Sequence, residues 1–395
     1  MIITADRRTR RDVAWAAARE YAHAAAEPTS PVRVALGQAA GLVLAEDLVA
    51  ATPLPAFDTA AMDGFAVAGA GPWLIVGSAR PGRPWTGERL EAGRAVEIST
   101  GAVVPPGAWA VLPIESAVPG DGDVAGPELP SGKHIRHAGE DARAGARLVP
   151  AGTPVGPALL GLAASCGYDE LPVRRKPAVR AIVTGDELVH HGQPGPGRVR
   201  DALGPLLPSL IAELGGCLDG LVHVPDRPDT ALSEAVEASA DADVIVVTGS
   251  TSVGVTDGLR RLLAERDALW IVDAVACRPG HPQLLARPRG GPYVVGLPGN
   301  PFAALIAAHT LLGPLLAGLS GRALGGLPQA PLITQVQAPA GHTRIVPVVW
   351  DGPGVRALGG DRPAFLNGAA IGDALAAVPH GAEPGRPVPL VLLRA

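Results

Sequence analysis

The sequence predicts a multidomain α/β protein with all-β parts attached, on three observations. The first is size: 395 residues with 47% hydrophobic content exceed what one core organises, since single cores stop growing at about 250–300 residues. The second is a strand-then-helix rhythm from about residue 176 to 322. The third is a pair of Pro/Gly-punctuated regions of short apolar runs, one on each side of that rhythm.

Taken in order, residues 10–26 are alanine-rich without Gly or Pro, which predicts a helix ended by Glu27-Pro28. Between about residues 44 and 136, runs such as Trp73-Leu74-Ile75-Val76 and Ala110-Val111-Leu112 predict a β insert, with 120–132 a polar hairpin or loop. Residues 178–184 and 242–248 read as buried strands, 205–214 and 256–265 as helices, and 293–296 followed by 302–316 repeats the unit. Apolar strands alternating with helices predict a mostly parallel sheet covered on both faces, a three-layer α/β/α arrangement. After about residue 321, short strands at 332–336, 344–349 and 388–393 predict a small closing β domain. The expected domains are 1–45 with 136–175, 46–135, 176–322 and 323–395.

A net charge of −5 argues against a nucleic-acid partner, which demands a basic face. Cys166, Cys217 and Cys277 are far apart and outside any CxxC spacing, which predicts reduced structural cysteines and a cytoplasmic protein. No apolar run follows Arg7, Arg8, Arg10 and Arg11, so no signal peptide is expected. The longest apolar stretch, 303–319, is interrupted by His309, Gly313 and Pro314 and falls short of the ~20 residues of a spanning helix. No membrane partner is expected. Lys133 and Lys176 are the only lysines among 33 basic residues, so arginine in place of lysine carries little information here.

Residues 243–257 run from a strand through Gly249-Ser250-Thr251-Ser252-Val253-Gly254 into a helix start. Such a turn offers backbone N–H groups to a phosphate, yet it has neither the P-loop Gly-Lys-Ser/Thr ending nor a GxSxG elbow. Spacing alone leaves an anion loop and an ordinary capped turn both open. Arg278-Pro279-Gly280-His281-Pro282 and Gly296-Leu297-Pro298-Gly299-Asn300-Pro301 are turns at strand ends, where α/β sheets bind ligands. Arg278 supplies a planar fork for an oxyanion. Asp63, Asp141, Asp186, Glu187, Asp226 and Asp257 stand in or beside glycine turns; grouped, they could hold Mg²⁺, and singly they read as helix caps or turn formers, with Asp186 and Asp257 the foremost caps.

These segments, with Phe57-Asp58-Thr59-Ala60-Ala61-Met62-Asp63-Gly64-Phe65, Thr100-Gly101-Ala102, Gly139-Glu140-Asp141 and Thr184-Gly185-Asp186-Glu187-Leu188, resemble in order and over nearly the whole chain the molybdopterin molybdenumtransferase (MoeA/gephyrin) family. The resemblance implies elongated homodimers of four-domain subunits, with an extended helical N-terminal dimerisation domain, the inserted β domain, a molybdopterin-binding α/β domain and a C-terminal domain resembling a β-barrel. The activity it implies is Mg²⁺-dependent insertion of molybdate into adenylylated molybdopterin with release of AMP. On that resemblance Asp63, Asp141, Glu187 and Arg278 are catalytic, with Asp63, Asp141 and Glu187 also holding Mg²⁺. Thr100, Asp226, Gly249, Ser252, Gly254, Asp257, His281, Pro298, Asn300 and Pro301 would bind substrate. As protein partners it implies the molybdopterin adenylyltransferase and molybdoenzyme apoproteins.

The chain departs from the family pattern. Lys-Pro-Gly-Lys reads Arg278-Pro279-Gly280-His281, Gly-Gly reads Gly249-Ser250, Arg-Asp-Ser-Asn reads Arg200-Asp201-Ala202-Leu203, and Trp109 stands where Asp is usual. Lys-to-His weakens an anion site at neutral pH, because imidazole ordinarily protonates only near pH ~6.5. The alternative expectation is a diverged paralog that holds molybdopterin or a nucleotide without turnover.

Overall fold

The computed structural model describes residues 11–228, 230–249 and 258–393. The chain forms two compact units, one of residues 33–173 and one that combines the preceding residues with 174–395.

In the first unit a six-stranded sheet runs in the order Val118–Pro119, Asp123–Ala125, Trp73–Ala79, Arg94–Ile98, Gly64–Ala68, Ala110–Pro113. Alternate residues of its strands face opposite sides. Ala66, Ala68, Val96, Ile98 and Val111 fill one core, and Val67, Trp73, Ala95, Ala110 and Leu112 fill another. Helix Pro157–Ser165 places Leu159 and Ala163 in a third core with Leu44 and Leu171. Sequence patterning gave no sign of this helix: it is nine residues long, lacks charge and contains Gly161.

The second unit is built on a sheet ordered Cys217–Val224, Ala178–Thr184, Val244–Thr248, Tyr293–Leu297, Leu284–Arg287, Leu269–Arg278. The first four strands are parallel and the last two join antiparallel. The sheet is therefore mixed, because the turns on either side of Leu284–Arg287 are too short for a helical crossover. Val244 and Val246 pack with Leu207, Ile211 and Phe302, while Ile245 and Val247 pack with Leu232, Leu259 and Leu263. Both faces are covered, as wholly apolar strands require.

Three elements differ from expectation. Among the described residues of the N-terminal segment only Trp15–Ala24 is helical; Arg11–Ala14 is a strand in parallel register with Leu269–Arg278, Val13 opposite Val275. Backbone hydrogen bonds offered by that strand outweigh alanine's helix propensity. Residues 332–336 do not form the expected strand: Gln329–Pro331 pairs with Pro387–Leu392, and Leu332 bridges Val355. With Thr343–Asp351, Gly354–Ala357 and Ala374–Pro379, these strands curl around Val346, Val348, Ala376, Val378 and Leu390.

The apolar stretch is the third. Helices Pro301–Ala307 and Gly313–Leu319 join through a π-helical segment, Ala308–Leu312, into 19 residues of mean hydropathy 1.8, long and apolar enough to cross a membrane. Burial decides its role: 83% of its most apolar 18-residue window is buried inside the protein, with Phe302, Ile306, Leu311, Leu315 and Leu316 in the main core.

Candidate functional site

Asp63 sits in the turn between strands Thr59–Ala60 and Gly64–Ala68. The turn is drawn tight against the neighbouring strand: a Cβ at Gly64 would lie 2.0 Å from the Leu112 carbonyl oxygen, and the Ile114 N–H donates to the Asp63 carbonyl at 3.0 Å. The Asp63 side chain is tied as well, because Thr100 N–H donates to its Oδ1 at 2.8 Å. That bond leaves Oδ2 of this exposed residue unpartnered among the described residues.

The Asp141 loop rests on the same run. Gly139 N–H donates to the Pro55 carbonyl and Asp141 N–H to the Leu54 carbonyl, each at 2.9 Å. Asp58 completes the tie: its Oδ1 accepts Ala138 N–H at 2.8 Å, and its Oδ2 lies 3.2 Å from His137 Nδ1. The Ala138 N–H, opposed by burial and helped by His137, holds the Asp58 carboxyl below the usual carboxylate range. Sequence reasoning passed over Asp58 as a positioning residue, although it stands within the Phe57-Asp58-Thr59 run that drew attention to Asp63. Trp109, another departure, donates its indole N–H to the Leu129 carbonyl at 2.8 Å.

In the second unit, loops gather at the carboxyl ends of the parallel strands. Gly185 has φ +146°, and a Cβ there would meet the Glu187 carboxylate at 2.8 Å. Gly249 has φ +97°, and a Cβ would meet Thr184 Oγ1 at 2.6 Å. Thr184 donates its hydroxyl to the Thr248 carbonyl at 2.8 Å, and Gly249 N–H donates to the Leu297 carbonyl at 3.2 Å. The loops that carry Glu187, Gly249 and Pro298 thus close on one another by backbone contact.

Asp186 caps no helix, contrary to expectation. Its Oδ1 accepts Asp226 N–H at 3.0 Å while Asp226 Oδ2 accepts Asp186 N–H at 3.3 Å, a reciprocal clasp between loops after adjacent strands. Asn300 precedes helix Pro301–Ala307 and is exposed, its side chain making no capping bond, while Pro301 occupies the first turn. Pro298 is buried. Ser252, Gly254 and Asp257 lie outside the described residues.

Arg278 ends strand Leu269–Arg278 on the same sheet edge, two strands from Leu297, and is exposed. The turn after it is anchored by buried Gln283, whose Nε2 donates to the Gly280 carbonyl at 2.8 Å. His281 is engaged elsewhere: its Nε2 lies 2.7 Å from Asp12 Oδ1 on the N-terminal strand. The lysine of the family pattern is thus replaced by an imidazole already paired with a carboxylate. Cys277 is structural, since burial pushes its thiol up to about 12 against the opposing charge of Arg278.

Residues 13–167 match the family described as MoeA N-terminal region (domain I and II), and 180–318 match the probable molybdopterin binding domain. Molybdopterin molybdenumtransferase 2 of Mycobacterium tuberculosis is 36% identical over 309 residues, covering 72% of this chain and 74% of the relative. Molybdopterin molybdenumtransferase of Synechococcus elongatus is 34% identical over 348 residues, covering 82% and 86%. A solved structure of the molybdopterin biosynthesis MoeA protein of Pyrococcus horikoshii superposes with a TM-score of 0.80 at 27% identity, over 97% of this chain and 100% of that one. Two family matches in sequence order, relatives above 30% identity over most of their length and a shared fold agree: this chain belongs to the molybdopterin molybdenumtransferase family.

Proposed function

We propose that the protein is a transferase of molybdenum cofactor biosynthesis: it binds adenylylated molybdopterin, inserts molybdate into the dithiolene and releases AMP. The observation that carries this reading is the Asp63 carboxylate, fixed through one oxygen by Thr100 N–H and free at the other, with the Asp141 loop bound to the same run. Fixed carboxylates cost no reorganisation when substrate arrives. Beyond that, Glu187, Asp226, Gly249, Pro298, Asn300 and Pro301 ride on loops at the sheet edge where nucleotides bind in α/β folds. Arg278 supplies a permanent charge for phosphate or molybdate.

Mg²⁺ fits the donor chemistry of Asp63, Asp141 and Glu187. All three are exposed carboxylates, and Mg²⁺ takes one or two such oxygens plus substrate phosphate and water. When bound, it supplies neutralisation of phosphate charge. The proposal includes a cytoplasmic homodimer, the molybdopterin adenylyltransferase as the source of substrate and molybdoenzyme apoproteins as acceptors.

One observation favours a second reading, a paralog that holds the nucleotide without turnover. The His281–Asp12 contact removes one cation from the anion turn. Reconstitution separates the two: incubated with adenylylated molybdopterin, molybdate and Mg²⁺, the purified chain is expected to yield a product that activates a molybdenum-free apoenzyme. Tight substrate binding with no activation would support the paralog.

A further inference from the structure

Residues 188–201 double back on themselves beside the sheet. Strands Leu188–Val189 and Val199–Arg200 pair in parallel, and Asp201 N–H donates to the Val189 carbonyl at 3.0 Å, which sets His190 next to Asp201. His223 arrives from strand Cys217–Val224. Asp201 Oδ2 lies 2.9 Å from His223 Nε2 and 3.7 Å from His190 Nδ1, and one ligand atom from each residue lies within 4.8 Å of the others. The two imidazole rings are 3.9 Å apart, centroid to centroid.

The carboxylate is held from behind. Asp201 Oδ1 accepts N–H of Leu203 at 2.9 Å and of Gly204 at 3.0 Å, in the first turn of helix Leu203–Glu213. Burial pushes the Asp201 carboxyl up, yet these N–H groups and His223 outweigh it and hold it below the usual range. Outer hydrogen bonds of this kind fix a ligand oxygen in place. A helix cap with one ion-paired histidine would explain Asp201 and His223 without explaining His190. Two imidazole nitrogens converging with one carboxylate oxygen form a donor set that a dication can use as a whole.

We infer that His190, Asp201 and His223 form a binding site for a divalent transition metal of the zinc class, separate from the oxygen-only carboxylates assigned to Mg²⁺. Two imidazole nitrogens and one carboxylate select zinc-class ions over Mg²⁺. Ligand atoms around such an ion stand about 3.3 Å apart, given Zn–N and Zn–O bonds of about 2.0–2.2 Å. A rotation of His190, whose side chain is 44% exposed, closes the remaining gap and leaves an outer position for water.

The test uses the full chain, stripped with chelator and titrated with Co²⁺. Wild type is expected to bind one Co²⁺ with the visible absorption of a four- or five-coordinate ion, displaced by Zn²⁺ and not by excess Mg²⁺. Each of His190→Ala and His223→Ala should weaken binding by at least about tenfold, and the double variant should lose it with an unchanged circular dichroism spectrum. Absence of wild-type binding, equal binding by the double variant, for instance at exposed Cys217, or equal displacement by Mg²⁺ would each overturn the site. Asp201→Asn serves as a second probe because the amide oxygen still accepts the Leu203 and Gly204 N–H groups: weakened Co²⁺ binding with an unchanged melting temperature supports direct ligation, and unchanged binding contradicts it.

Discussion

At the residue scale, Asp63 shows how a residue proposed for the site is made rigid without being buried. Its backbone is locked by Gly64 against Leu112 and by Ile114 N–H, and its side chain by Thr100 N–H. Asn in its place keeps an oxygen for Thr100 and loses the charge. Asp63→Asn is therefore expected to abolish AMP release while changing unfolding free energy by less than about 1 kcal/mol, the scale of one hydrogen bond; activity near wild type would remove Asp63 from the reaction. Arg278→Ala is expected to weaken AMP and molybdate binding by about tenfold or more, the scale of a charge-assisted hydrogen bond. The loss should be constant across neutral pH, since a guanidinium stays charged. Calorimetric titration of the variant against wild type checks it, and unchanged affinity would place the turn outside the anion site.

The acids proposed for the site stand out in the sequence because each stands in a short motif with glycine. Their supports were not. Asp58 acts through Ala138 and His137, and Asp12 reaches His281, across 80 and 269 positions of sequence. No local pattern encodes a contact of that span. The same holds for the reciprocal bonds of Asp186 and Asp226, which a local reading turns into helix caps.

At the element scale, the π segment Ala308–Leu312 explains why an apparently interrupted stretch is one helix. Pro314 has no N–H for the carbonyl one turn back, and the widened turn before it absorbs the mismatch. Trp15 Nε1–H donates to Thr310 Oγ1 at 3.0 Å and Arg19 donates to the His309 carbonyl at 2.6 Å, so the N-terminal helix covers the segment. His309 is buried there with Nε2 unpartnered among the described residues. Burial, helped by the charge of Arg19, lowers its pKa to about 4.

A histidine lowered in the folded state is neutral when folded and takes up a proton on unfolding. Stability is therefore complete above the ordinary value of about 6.5 and falls as pH drops from there toward 4, by an order of about 3 kcal/mol. Urea unfolding of wild type between those limits should show that slope, and His309→Leu should flatten it. An equal slope in both proteins would assign the acid sensitivity to other groups.

At the scale of the whole molecule, the α/β rhythm from residue 176 to 322 was legible because a strand buried on both faces must be mostly apolar, as Val244–Thr248 is up to its last residue. Strand direction was not, since the antiparallel placement of Leu284–Arg287 depends on turn length and on its neighbours rather than on its own residues. The strand at Arg11–Ala14 was hidden for the same reason: an edge far along the chain recruits it. The proposed acids Asp63 and Asp141 belong to one compact unit, and Glu187 and Arg278 to the other. A homodimer is proposed on the family resemblance alone. Sedimentation at micromolar concentration is expected to give a dimer, and a monomer with full activity would contradict the proposed homodimer.

Turnover separates a transferase from a nucleotide-holding paralog, and AMP release measures it most directly. With purified chain, adenylylated molybdopterin and Mg²⁺, addition of molybdate is expected to release AMP from wild type and not from Asp63→Asn. Bound substrate that stays adenylylated in the wild type after molybdate is added would contradict the transferase and leave a nucleotide-holding paralog.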